Sequence, residues 1–467
     1  MLTRTAYGDT RLSLWQRVRE FAVPPSMIET ATARRRTGDW AGACAAAGVD
    51  VDLDLRCAAR TYGREPAARL RADLRRLAPD LLRWHMPRIA PDGLLRPGLT
   101  IALARYDTAG HDGGRPLFLV ARTPPAWADA GQRISLALWD GSPHDAGARR
   151  HPHPRPDRRF RLDLHRHLWD ALRSDELRTR SGADRPPHGG GSPTQPDPWE
   201  NVPPGYGCAV GRWAAEAGVL LAAEGRDSGD VTVRLGTRHR LNLHLSADQD
   251  GGGLGPRTVR ITPATPDGGA RALPVLPDAA TWVLPDLELL RTGRVTADRL
   301  HPLVASALTP GHPPAAVRVP DPAGPRLVEC RGARHRIGLV DGVLAALDHD
   351  PAEVRRETLL AELTGTPLPC LQVIDEAHRR PECLAEVRER IDHGDIAGAL
   401  AVVEGLLGPD ALLRDGALRD ELEAAAQQRI VHGLFRADLF GPGPDRLGSG
   451  SRRPASQRSH PRHTTAR

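Results

Sequence analysis

Leu99-Thr100-Ile101-Ala102-Leu103-Ala104-Arg105, Pro116-Leu117-Phe118-Leu119-Val120-Ala121 and Arg133-Ile134-Ser135-Leu136-Ala137-Leu138-Trp139 are three short apolar runs. Gly-rich or Pro-rich segments such as His111-Asp112-Gly113-Gly114 separate them. Runs of that length between turn residues read as strands, and short connections make them neighbours. They predict a three-stranded antiparallel meander in a chain whose apolar period is otherwise largely helical. The fold class is therefore α+β and multi-domain: a helical N-terminal part, small antiparallel β-sheets and a largely helical C-terminal part.

On the N-terminal side, residues 11–88 keep a helical spacing, as in Leu70, Leu74, Leu77 and Leu81. Pro24-Pro25 stops one helix, and Ser26 with Glu29 three residues on reads as a capping box for the next. On the C-terminal side, residues 141–160 read as irregular, with a helix expected over 163–179. Residues 181–204 hold almost no apolar side chain and read as a linker. A helix is expected at 208–223, with strands at 231–235, 239–245 and 258–262. Helices then recur at 287–291 and from Thr296 towards Leu308. A strand pair is expected at 326–330 and 335–340. Asp350-Pro351 supplies a cap and a first-position proline for another helix, and helices continue to about Leu439. The expected division is 1–180, a disordered linker 181–204, a mixed region 205–345, a helical region 346–440, and a disordered Arg-rich tail 441–467.

One string occurs twice. Gly38-Asp39-Trp40-Ala41-Gly42-Ala43-Cys44-Ala45 matches Gly394-Asp395-Ile396-Ala397-Gly398-Ala399-Leu400-Ala401 at six of eight positions. In each copy the Gly ends one helix and the Asp caps the next. Each copy resembles one helical pair of the tetratricopeptide type, over about 20–30 residues and without a tandem array.

A chain of 467 residues is long enough for about two to four domains, and 40% hydrophobic residues suffice for real cores. All 64 basic residues are Arg; Lys is absent. That excludes a lysine Schiff base, a phosphate-loop lysine and the strand lysine of kinases. The net charge of +6 resides in residues 446–467, which carry six Arg and no acid. The six Cys include no C-x-x-C pair, and no 18-residue apolar run occurs. The expectation is reduced thiols in a soluble cytoplasmic protein without a membrane segment.

Asp375-Glu376-Ala377-His378 resembles the DEAH box of superfamily 2 helicases, where the Asp would bind magnesium and the Glu would position water. The lysine-bearing phosphate loop that such carboxylates need is missing, so the string reads as a helix end. His151-x-His153, His165-x-His167 and the looser set Cys370, His378, Cys383 and His393 fit no zinc spacing. They read as solvated His and buried Cys. No G-x-S-x-G elbow occurs.

Neither a catalytic nor a cofactor or metal site is expected from linear sequence. The favoured expectation is a non-enzymatic adaptor or regulatory protein that binds other proteins through helical surfaces. Ile396, Leu400, Val403 and Leu407 form one stripe for that purpose. The alternative is a nucleic-acid-associated protein using Arg-rich residues 149–167 and 446–467, with weak nonspecific contacts through Arg452, Arg453, Arg458 and Arg462. A third is a hydrolase whose site is invisible in sequence; a concave pocket lined by perturbed acids or His would betray it.

Overall fold

The computed structural model describes residues 4–107, 116–129, 131–141, 151–184, 202, 207–236, 239–246, 259–264, 273–311, 326–365 and 367–439. They fall into two units. Unit one is Met1–Trp127 with Arg133–Pro314; unit two is Ala128–Gln132 with Ala315–Arg452. Residues on both sides of 181–204 thus share unit one, whose main core joins Leu70, Leu74 and Trp84 to Leu289 and Val304. The strands expected at 326–340 belong with the C-terminal helices rather than with the preceding mixed region.

Unit one opens with α1 (Arg4–Phe21), α2 (Pro25–Arg36), α3 (Trp40–Ala46), α4 (Leu55–Tyr62), α5 (Arg64–Arg76) and α6 (Pro79–His85). Pro25, with its fixed φ, takes the first position of α2, and Ser26 falls inside the helix. The expected capping box is therefore absent. Between α3 and α4 lies β1 (Val49–Val51), and after α6 come the short pair β2 (Arg88–Ile89) and β3 (Leu94–Leu95). The three quoted runs form β4 (Thr100–Tyr106), β5 (Leu117–Arg122) and β6 (Ile134–Trp139), paired antiparallel as expected. β1 adds a parallel edge to β6, giving the order β1-β6-β5-β4.

The helix expected over 163–179 is not formed. Two 3-10 turns, Arg166–Leu168 and Ser174–Glu176, lead into the short α7 (Leu177–Ser181). The second half of the unit packs α8 (Val210–Ala223) on a three-stranded antiparallel sheet. Its strands are β7 (Gly229–Arg234), β8 (Arg240–Leu245) and β9 (Val259–Pro263). Then α9 (Asp278–Thr281), α10 (Pro285–Arg291) and α11 (Pro302–Leu308) return to the N-terminal helices.

Unit two begins with a meander of β10 (Arg326–Cys330), β11 (Ala333–Val340) and β12 (Val343–Ala346), one strand more than expected. Helices follow: α12 (Pro351–Thr364), α13 (Pro369–Arg379), α14 (Leu384–Asp392), α15 (Ile396–Leu407) and α16 (Ala417–Arg436). Asp350 caps α12 through Ala352 N–H, with Pro351 at the first position. Among the described residues, no helix is long and apolar enough to cross a membrane.

The repeated string builds the same corner in both units. Gly38 (φ 79°) and Gly394 (φ 85°) take the left-handed conformation that ends α2 and α14. The carboxylates of Asp39 and Asp395 then accept from Gly42 N–H and Gly398 N–H, capping α3 and α15. A Cβ on Gly42 or Gly398 would stand 2.1 Å from Oδ2, the second oxygen of the capping carboxylate. An arginine five residues earlier, Arg34 or Arg390, pairs with the same Asp.

Candidate functional site

Unit one contains a cleft of about 170 Å³ between α1, the α6–β2 turn, residues 160–168 and residues 278–285. Trp15, Phe160 and Trp282 supply aromatic walls, and Leu14, Leu162 and Leu168 add aliphatic surface. Arg11, Arg19, Arg88 and Arg96 also line it, against one acid, Asp278. An enclosed apolar cavity of ~150 Å³ takes a benzene-sized ring, so this space suits a single ring with small substituents.

Beneath the cleft lies a buried ionic network. Arg19 forks onto Asp286 at 2.7 and 2.6 Å and donates to Trp84 O at 2.9 Å. Trp84 Nε1 donates to the same carboxylate at 3.1 Å, and the guanidinium carbon sits 4.3 Å from the Trp84 ring centre. Both ionic side chains are almost wholly removed from water. Such a pair is tolerated because each charge has several partners in good geometry. Nearby, His301 caps α11 through Nδ1 and faces Asp80 at 3.0 Å through Nε2.

His85 joins the network to the cleft. Its Nδ1 lies 3.2 Å from Leu168 O, which can only accept, so Nδ1 carries the proton of the neutral ring. Nε2 is then an acceptor, buried, without a hydrogen-bond partner, and 3.8 Å from Asp286. Burial pushes the imidazole pKa down to about 4, outweighing the attraction of Asp286. Asp278 is held by both guanidinium arms of Arg159 at 3.1 and 2.8 Å. Burial raises its carboxyl all the same, against the pull of Arg159. Among the described lining residues none is Ser, Thr, Cys or Tyr.

The residues singled out in the sequence fall elsewhere. Val403 and Leu407 are core residues of unit two and Ile396 packs against that core, which leaves Leu400 alone of the four exposed. The stripe therefore turns mostly inward. Asp375-His378 occupies the last turns of α13, where Asp375 pairs with Arg379 and Arg414. His151, His165 and His167 are buried rather than solvated. His151 bonds to Thr123 O and Thr100 Oγ1, and His165 faces Glu216 at 3.2 Å. Cys370 does not gather with His378, Cys383 and His393; its neighbours are Cys330 and His349. In the Arg-rich segment, Arg159, Arg161 and Arg166 are paired with Asp278, Asp163 and Asp73. Residues 149 and 150, and Arg452, Arg453, Arg458 and Arg462, lie outside the described residues.

Comparison with known proteins finds no match: no family model, no curated protein and no solved structure is similar to this chain.

Proposed function

We propose that unit one is a receptor for a small, single-ring organic anion carrying a hydrogen-bond donor. The observation that carries the reading is His85 Nε2, a buried acceptor without a partner on a ring that lines an aromatic cleft. A buried acceptor left unpaired costs about 1–3 kcal/mol, which a ligand O–H or N–H brought into contact with it would recover. Arg19 and Arg11 are paired with Asp286 and Glu288, so Arg88 and Arg96 are the lining cations that would favour a negative group, and Trp15, Phe160 and Trp282 suit the ring.

The test uses 4-hydroxybenzoate as probe, followed by tryptophan fluorescence and calorimetry. Saturable one-to-one binding is expected, weakened about 10–100-fold by His85→Phe, which removes the acceptor. Binding indifferent to that change, or absent across hydroxylated, aminated and plain aromatic acids, defeats the reading.

A second reading, capture of another protein by a helical surface, is favoured by α12. None of its 14 residues is buried, and Leu359, Leu360 and Leu363 are all exposed on one stripe. An apolar stripe on a helix ordinarily faces a partner surface. The double change Leu359→Asp, Leu363→Asp is expected to abolish co-purification of a protein partner while leaving the circular dichroism spectrum intact. Unchanged capture excludes α12 as the surface.

A further inference from the structure

Three sulfur and nitrogen donors far apart in sequence meet inside unit two. Cys330 ends β10, where the antiparallel register points it towards α13 beside Ile337. Cys370 is the second residue of α13. His349 lies in the turn between β12 and α12. Both thiols are 1% exposed, and the His349 side chain is 5% exposed. One donor atom from each residue lies within 4.8 Å of the other two.

The surroundings fix this turn. Asp348 accepts from Arg336 N–H and from its guanidinium, both at 2.7 Å, tying the turn to β11. Arg331 bonds Glu353 and Glu357 at 2.6 Å each, pinning the start of α12. His349 Nε2 is buried without a hydrogen-bond partner, while Nδ1 faces the Glu353 carboxylate at 3.9 Å. His335 stacks on His349 with ring centres 4.2 Å apart, and its Nδ1 is likewise buried and unpartnered. Two orphaned imidazole nitrogens beside two buried thiols are an unfavourable arrangement unless something binds them.

We propose that Cys330, His349 and Cys370 bind one zinc ion. Tetrahedral zinc with Zn–S near ~2.3 Å and Zn–N near ~2.0 Å sets its ligand atoms roughly 3.5 Å apart, so the pocket need close by only about 1 Å. Glu353 stands where a carboxylate orients a ligating imidazole through its second nitrogen. Cys side chains bind zinc as thiolates. Loading therefore releases thiol protons to solvent, and affinity rises with pH. Bound metal would pin the meander to α12 and α13.

The experiment takes the full-length chain, purified under reducing conditions, and measures metal by mass spectrometry after adding zinc and gel filtration. One zinc per chain is expected. Cobalt in its place should give the intense visible bands of a tetrahedral site and a sulfur-to-cobalt charge-transfer band. Cys370→Ser should remove the zinc, whereas Cys57→Ser, at an exposed cysteine, should keep it. Should Cys370→Ser fail to fold, the decision passes to the unaltered chain, which must release its zinc on titration with a mercurial. No retained zinc, a cobalt spectrum without sulfur bands, or an intact mass about 2 Da low, from a disulfide bond, overturns the assignment.

Discussion

Lowering the pH from 7 to 4 is expected to strip unit one of most of its stability. His85 and His151 are both held down to about 4 by burial. An unfolded imidazole has a pKa near ~6.5, so between ~6.5 and ~4 the unfolded chain binds protons that the folded chain refuses. Stability therefore falls as pH falls through that window, by about 3 kcal/mol for each of the two groups. Burial also pushes His167 well below its ordinary value, with His165 beside it, and adds in the same direction. Glu216 acts lower down. Burial pushes its carboxyl up, but the hydrogen bonds and charges of His165 and Arg180 outweigh this and hold it below the carboxylate range. Its contribution is present above pH ~4.5 and is lost as pH falls further. Asp278, raised by burial, opposes the trend in part. All eight described tryptophans belong to unit one, so fluorescence-monitored urea unfolding reads chiefly this unit. The midpoint should drop steeply between pH 6.5 and 4, and less so in a His85→Gln, His151→Gln chain. A level profile across that range would show that these imidazoles titrate freely.

The second large effect comes from breaking the buried ion pair at one end. Asp286→Ala leaves Arg19 charged, dry and bonded only to Trp84 O, and should cost unit one about 3–5 kcal/mol. Replacing both partners, Arg19→Met with Asp286→Leu, should recover most of that loss, because an apolar pair of similar volume carries no desolvation penalty. A double variant as unstable as the single one would mean that shape, not charge, dominates this site.

How far the sequence reveals these features depends on how local they are. The β4–β6 meander, the Asp350-Pro351 start and the two Gly-Asp corners are legible because neighbouring residues decide them. β1 is not, since its three residues become a strand only by pairing in parallel with β6, some 85 positions away. The run after Asp163 has a helical pattern yet forms no long helix, because its backbone pairs with the end of α5: Ala78 N–H donates to Trp169 O and Ala171 N–H to Arg76 O, bridging Asp170 to Leu77. Neither the cleft nor the Cys330–His349–Cys370 group can be seen in linear order. The first draws on segments around residues 15, 85, 160 and 282; the second has ligands 19 and 21 positions apart, far from the tight pairs that announce structural zinc.

The twin corners bear on how kinship between helical proteins is judged. Of the six residues the two strings share, four answer to stereochemistry: the left-handed Gly, the capping Asp, the Gly that leaves room for its carboxylate, and the buried Ala43 or Ala399. The other two are exposed alanines on a helix, Ala41 and Ala45 against Ala397 and Ala401. Two chain segments turning this corner are drawn to the same Gly, Asp, Gly and Ala whatever their ancestry. The identity of the two strings measures a shared bend in the backbone and carries little information about descent.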